Sequence, residues 1–466
     1  MLRSLLALVL LLAVPGALAQ GFPSTPPAPG EPRPFTLPEG TSFTLDNGID
    51  VTLVPYGALP KATVYAVVRS GNVDEGPGQT ALADVMAGLL TEGTTSRTAA
   101  EIADQAADLG GSISAGAGLD QTFVTSRVLS EFTPDAVALV ADVLRNPAFP
   151  DDAFARVQRD QLRGAAIARS QPGTLARAAF TRALYGDHPY QAVVLPDPAQ
   201  IEAFTVADAR AFYDATVGPR RTRLYVVGQF DERAVEAAVR DAFGDWAGGP
   251  AMSDPTPPTV TDGRRVILVD QPGAAQSNVT VGLSTIDPTA DDFVALQVTN
   301  ALLGGSFGSR ITRNIREDKG YTYSPGSSVS TRFRDGTWAE SAAIQTPATG
   351  AAITEILYEI DSLATTPPSA EELEGIQNYL AGTFVLQNSS PGGIASYLAF
   401  LDLHGLGRDY LERYVERVYA VTPEDVRRVT EQYIRSGDAA IVVVGDRSVV
   451  EAQLAPFGDV TVETLD

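Results

Sequence analysis

Cysteine is absent from the 466 residues. That excludes disulfides, a thiol nucleophile, thiolate metal ligands and an N-terminal lipid-modified cysteine. Histidine occurs twice, as His188 in "YGDHPYQ" and His404 in "LDLHGLG". Neither has a second donor at metal-ligand spacing, so each reads as a hydrogen-bonded structural histidine. Positive charge is scarce, with 34 Lys and Arg against 57 Asp and Glu and a formal net charge of −23. Such a chain repels phosphate backbones, which argues against nucleic-acid binding. Beyond the N-terminus no apolar run approaches a membrane span.

The opening "MLRSLLALVLLLAVPGALA" (1–19) has an early Arg3, a short apolar core and an A-x-A end before Gln20. Those features predict a secretory signal peptide, hence export across an inner membrane and a periplasmic location. Residues 20–39 are proline-rich and predict an extended arm. The rest of the chain is globular in composition and too long for one ordinary core.

The chain repeats itself. "TVADARAFYDATVGPRRTRLYVVG" (205–228) aligns without a gap on "TPEDVRRVTEQYIRSGDAAIVVVG" (422–445). Each reads as a helix with a threonine N-cap and an Asp three residues on, a short loop, and a buried strand ending in Gly. "LRNPAFPDDAFARVQRDQLRGA" (144–165) parallels "LATTPPSAEELEGIQNYLAGTF" (363–384), and "FTLDNGIDVTLVP" and "RRVILVDQPG" open the two halves. The expected organisation is a first domain over 40–247, a Gly/Pro-rich linker over 248–263 and a second domain over 264–466. Mixed strands and amphipathic helices make the fold class α+β, two homologous α/β sandwich halves.

Residues 81–94 read "ALADVMAGLLTEGT". Leu82, Val85, Met86, Leu89 and Leu90 form the apolar stripe of a half-buried helix. Asp84, Ala87, Gly88 and Thr91 fall in the opposite phase, where Asp, Ala and Gly stand at i, i+3 and i+4.

The chain resembles the pitrilysin/insulysin-type zinc metallopeptidase family, in the branch similar to mitochondrial processing peptidase, over nearly everything after the arm. In that family an inverted zinc motif, H-x-x-E-H, lies in a helix reading roughly P-G-x-T-G-L-A-H-x-x-E-H-x-x-x-x-G-T. Here "PGQTALADVMAGLLTEGT" (77–94) keeps the frame, with Ala81 in place of a Gly. The resemblance puts Asp84 and Gly88 at the two His positions and Ala87 at the general-base Glu. It puts the third ligand, a Glu, in the helix matched by "RDQLRGAAIARSQP" (159–172), whose only acid is Asp160. One or two scattered carboxylates do not make a zinc site, which takes three or four N, S or O ligands. This chain is therefore expected to bind no metal.

In the second half, "GGSFGSRITRNIREDKGYTYSPGSSVS" (304–330) predicts a helix over Ser309–Lys319 capped by Gly320, then a strand over 321–330. The resemblance implies an Arg/Tyr pair in a pattern like R-E-x-x-G-x-x-Y, met here by Arg316 and Tyr323. In the family this pair reaches the zinc site of the other half or subunit and holds the substrate. A guanidinium and a phenol suit that task, because both donate directionally to carbonyl or carboxylate oxygens. The bland alternative is a surface ion pair for Arg316 and mere packing for Tyr323. "GGSFG" (304–308) also matches G-x-S-x-G, but helical spacing precedes it where a nucleophile elbow needs a strand.

The resemblance thus implies a non-catalytic subunit that lends Arg316 and Tyr323 to a homologous zinc-bearing partner acting on peptides, zinc residing in that partner. The alternative is a peptide-binding or scaffold protein of the same fold with no peptidase partner.

Overall fold

The computed structural model describes residues 35–37, 39–259 and 263–463. The predicted signal peptide and most of the proline-rich arm lie outside these residues. So do residues 260–262 of the predicted linker.

The described strands form two six-stranded sheets. The first holds β1 (Thr41–Thr44), β2 (Asp50–Pro55), β3 (Lys61–Val68), β4 (Ser112–Ala117), β5 (Thr122–Leu129) and β6 (Thr222–Gly228). Its order is β1-β2-β6-β3-β5-β4. The second holds β7 (Arg265–Asp270), β8 (Gln276–Thr285), β9 (Gly326–Arg332), β10 (Asp335–Gln345), β11 (Ala440–Gly445) and β12 (Val460–Glu463). Its order is β12-β7-β11-β8-β10-β9. Apart from the outermost β1 and β12 the two orders are the same path through the sheet. In each, a parallel pair, β2 with β6 and β7 with β11, adjoins antiparallel strands. The halves are thus one α/β unit used twice.

The repeated segment folds as its sequence dictates. Thr205 Oγ1 accepts from the Asp208 N–H while the Asp208 carboxylate accepts from the Thr205 N–H at 2.8 Å. Thr422 and Asp425 repeat this reciprocal cap at 3.0 Å. Aspartate reaches back as glutamate does in the usual capping box, satisfying two otherwise orphaned donors.

Both sheets are apolar on both faces, so each needs two covers. Val64, Ala66 and Val68 of β3 pack into the core of the first half, whereas Val67, with Val54, Tyr225 and Val227, joins the core of the second. The cover for that second face is borrowed. Helix Pro391–His404 of the second half packs on β3 and β6, and helix Pro172–Tyr185 of the first half packs on β8 and β11. Tyr225 donates its hydroxyl to Asp402 across this exchange, and Tyr56 donates to the Asn388 carbonyl at 2.6 Å. Exchanged helices bind the halves into one compact unit.

Three local expectations are corrected. Ala87 does not lie on an open face; it is 1% exposed. The helix expected over 309–319 runs as a single α-turn, Arg310–Thr312, and then as a π-helix, Arg313–Asp318, before Gly320 closes it at φ 65°. The strand expected over 321–330 starts only at Gly326, because Tyr321–Pro325 form an irregular approach held to β10 by the Thr322–Ile344 bridge. Among the described residues no helix is long and apolar enough to cross a membrane.

Candidate functional site

Helix α1 (Leu82–Leu89) carries the altered motif. Ala81, its N-cap, sits in the left-handed region at φ 73°, ψ 11°. Only glycine adopts that conformation freely, so Ala81 carries backbone strain of about 1 kcal/mol. The helix start is held instead by a carboxylate from outside it. Glu75 accepts from the Ala83 N–H at 2.9 Å and from the Ala81 N–H at 3.1 Å. One amide group joins it to the motif: Asn72 Nδ2 donates to Glu75 at 3.1 Å and to Asp84 at 2.8 Å. Burial pushes the Glu75 carboxyl up to about 7, against the pull of the Ala83, Asn72 and Ala81 donors. Burial also raises Asp84, opposed by Asn72.

The side chains of α1 do not fit zinc. Asp84 offers one carboxylate, already engaged by Asn72. A Cβ at Gly88 would lie 3.1 Å from Val157 Cγ1, so helix Asp151–Ser170 packs closely against this half-open position. On that helix Asp160 pairs with Arg163 at 2.9 Å. Among the described residues no group of three or more His, Cys, Asp or Glu is placed to hold a metal ion.

The two histidines are tied into structure. His188 accepts from the Tyr190 N–H through Nδ1 and meets the Thr256 carbonyl at 2.9 Å through Nε2. The hydrogen bond expected for His404 is not formed at Nδ1, which is buried without a partner; the ring is 2% exposed, lies 4.6 Å from the Phe400 ring, and burial lowers its pKa to about 4.

The second-half residues are open. The Arg316 guanidinium carbon stands 4.4 Å from the Phe307 ring centroid and 4.9 Å from that of Tyr323. Both rings are largely solvent-exposed, at 73% and 79%. Two aromatic faces therefore hold one cation in place, while its edge keeps hydrogen-bonding capacity. Arg316 Nε also lies 3.2 Å from exposed Glu317. Such a pairing contributes little in water. Arg316, Phe307 and Tyr323 line a cleft of about 450 Å³ floored by Gly304, Gly305 and Ser327. The loop carrying Phe307 lies between two π-helical stretches, Ala301–Gly305 and Arg313–Asp318. Such stretches are uncommon and frequent at functional sites. Helix precedes and follows this loop. Ser306 is therefore not on a nucleophile elbow.

Beneath the cleft lies Glu340. It is fully buried, and neither carboxylate oxygen makes a well-formed hydrogen bond. A Cβ on Gly304 would lie 2.4 Å from Glu340 Oε2, so only glycine lets the cleft floor rest on this carboxyl. Burial raises its pKa well above the carboxylate range, and the nearby Gly326 N–H offsets little of that. In the unfolded chain a glutamate ionises near pH 4.3. Folding therefore loses stability as pH rises above that value, by about 1.4 kcal/mol per pH unit until the folded group itself ionises. Glu340→Gln should remove this slope and gain stability at pH 8 relative to pH 5. Urea midpoints of both proteins at the two pH values test it; parallel pH dependences would contradict the assignment.

Sequence reasoning named Asp84, Ala87, Gly88, Arg316 and Tyr323. The structure places the first three on α1, with only Asp84 and Gly88 half-open, and stacks the last two together. Asn72, Glu75, Phe307 and Glu340 were missed. Phe307 lay in a stretch already singled out for its glycines. The other three carry no local pattern that marks them.

A duplicated α/β unit with an altered α1 motif and an Arg–Tyr stack defines a metallopeptidase-like protein. A family model described as Insulinase (Peptidase family M16) matches residues 57–195, and one described as Peptidase M16 inactive domain matches residues 203–380. The chain belongs to peptidase family M16. An uncharacterized zinc protease of Mycobacterium tuberculosis is 28% identical over 436 residues, covering 92% of this chain and 98% of the relative. An uncharacterized zinc protease of Streptomyces coelicolor is 24% identical over 400 residues, covering 84% and 86%. Among solved structures, a peptidase M16 inactive domain from Pseudomonas fluorescens has a TM-score of 0.81 at 24% identity, covering 87% of this chain and 98% of that one. A protease from Helicobacter pylori also reaches 0.81, at 19% identity, covering 88% and 100%. These likenesses establish the fold.

Proposed function

We propose that the chain is a non-catalytic, substrate-binding subunit of a heterodimeric zinc metallopeptidase. It is exported to the periplasm, and it supplies Arg316 and Tyr323 to the active site of a homologous zinc-bearing partner. The observation that carries this reading is a division within one chain. The α1 face lacks the donors for a metal, while the Arg316–Tyr323 stack stands open beside a cleft. Held guanidinium and phenol groups can fix a peptide's carbonyl or carboxylate oxygens and stabilise negative charge developing on a partner's substrate. Peptide would dock by main-chain hydrogen bonds along a sheet edge, as extended peptides do on unpaired strands.

The test mixes the mature chain with an H-x-x-E-H homologue from the same genome and follows zinc content and cleavage of a quenched peptide library. Activity should appear only in the mixture. Arg316→Ala should lower turnover by about tenfold or more, with assembly unchanged by size-exclusion chromatography. Unchanged turnover in an assembled pair would refute the role given to Arg316.

A further inference from the structure

Helix α2 (Phe293–Asn300), continued by the π-turn Ala301–Gly305, is the second-half counterpart of α1. Leu82, Val85, Leu89 and Leu90 correspond to Ala295, Val298, Leu302 and Leu303, and all eight are buried. In that register Asp84, Ala87 and Gly88 correspond to Gln297, Asn300 and Ala301. The face that carries an altered motif in the first half therefore carries two amides in the second.

Those amides border a cavity. Gln297, Asn300 and Ala301 line a space of about 280 Å³. Its far wall is aromatic: Phe384 and Tyr414 stack at 4.5 Å between centroids, and Phe384 meets Tyr397 edge-on at 5.9 Å. Among the described residues no charged side chain lines it. Gln297 Oε1 is buried in this wall without a hydrogen-bond partner, and a turn of the amide would present it to the space. Asn300 Oδ1 is occupied, accepting from Ser327 Oγ at 2.7 Å, which turns its Nδ2 the other way. A Cβ on Gly305 would come within 2.4 Å of that Nδ2, so glycine leaves the donor uncovered. Gly305 lines both this cavity and the Arg316 cleft.

The occupant must be uncharged, flat and about the size of one large side chain. It must also carry a tip that donates to Gln297 and accepts from Asn300. A phenol meets these requirements, since its hydroxyl is both donor and acceptor and its ring suits aromatic walls. We propose that this cavity is a specificity pocket for a tyrosine side chain of a peptide bound along the Arg316 cleft. The proposal rests on the peptide-binding part of the functional reading and names a side-chain preference for it.

The test uses the mature chain without a partner. Short alanine-based peptides with blocked ends and one central tyrosine, phenylalanine or lysine are titrated by calorimetry. A site built to hydrogen-bond a hydroxyl rejects the analogue lacking it. The tyrosine peptide should bind about tenfold more tightly than the phenylalanine peptide, and lysine should bind least. Gln297→Leu should erase the tyrosine–phenylalanine difference while leaving phenylalanine affinity in place. Thr383→Phe, which fills the cavity from the opposite wall, should weaken the tyrosine peptide and supplies the test if Gln297→Leu does not fold. Equal affinities in the unaltered protein, or a tyrosine preference that survives Gln297→Leu, would overturn the pocket. Arg316→Ala should weaken all three peptides alike. A tyrosine preference standing beside unchanged turnover in the Arg316→Ala pair would defeat the accessory role alone.

Discussion

Arg332→Ala should destabilise the folded chain by about 3–5 kcal/mol, the usual cost of removing one partner from a buried charge network. Arg332 ends β9, and its hairpin with β10 inserts against the first half. The guanidinium carbon lies 4.9 Å from the Tyr185 ring and 5.6 Å from the Tyr190 ring. Around it Tyr185 donates to Asp335 at 2.6 Å, Tyr190 donates to Asp120, and the Phe333 N–H donates to Asp120 at 3.1 Å. Asp120 and Asp335 are both buried, at 9% and 5% exposure, and burial raises both. Arg332 pulls both back down.

Without the cation the two folded-state pKa values rise further, while the unfolded value stays near 3.9. The loss should therefore grow as pH rises above that value. Arg332→Lys should recover only part of it, because an ammonium keeps the charge without the flat face that meets two rings. Urea unfolding followed by circular dichroism at pH 5 and pH 8 measures both effects. A loss under about 1 kcal/mol at pH 8 would show that the network contributes little to joining the halves.

Glu75→Ala should cost about 3–4 kcal/mol, from loss of a helix cap together with buried donors left unpaired. Its carboxylate meets the Ala81 and Ala83 N–H groups and the Asn72 amide, all at a buried helix start. Ala81 is left-handed, so backbone geometry does not help that end to stay closed. Hydrogen exchange should show α1 opening before the rest of the first half. Glu75→Gln should recover only part, since its amide nitrogen would face one of the same donors. If Glu75→Ala matched the unaltered protein in both urea midpoint and α1 protection, the cap would be dispensable.

Much of the architecture was legible because it is written in local chemistry. Thr205 with Asp208 and Thr422 with Asp425 mark two helix starts, and the strands after them are continuous apolar runs. Periods of 3.6 and 2 residues come from backbone geometry alone, so they survive in sequence whatever surrounds them. The duplication was readable for the same reason.

Other parts were illegible because they depend on what comes to lie alongside. Ala87 reads as the second face of a helix, yet it is buried. Gly88 reads as a lost ligand, yet its partner is Val157 on a helix far along the chain. The widening of helix 310–318 into a π-helix has no local signature, and it is what accompanies Arg316 into the stack with Phe307 and Tyr323.

By itself, then, the sequence determined the repeated α/β unit, the absence of a zinc donor set on the α1 motif, and the Arg316–Tyr323 spacing. Tertiary structure alone decided that the halves exchange helices, that Glu75 and Asn72 hold the altered motif, and that Glu340 lies unpaired beneath the cleft. The physical reason is one of range. Caps, turns and periodicity are interactions between residues a few positions apart, whereas burial and its consequences for charge exist only once distant segments exclude water together.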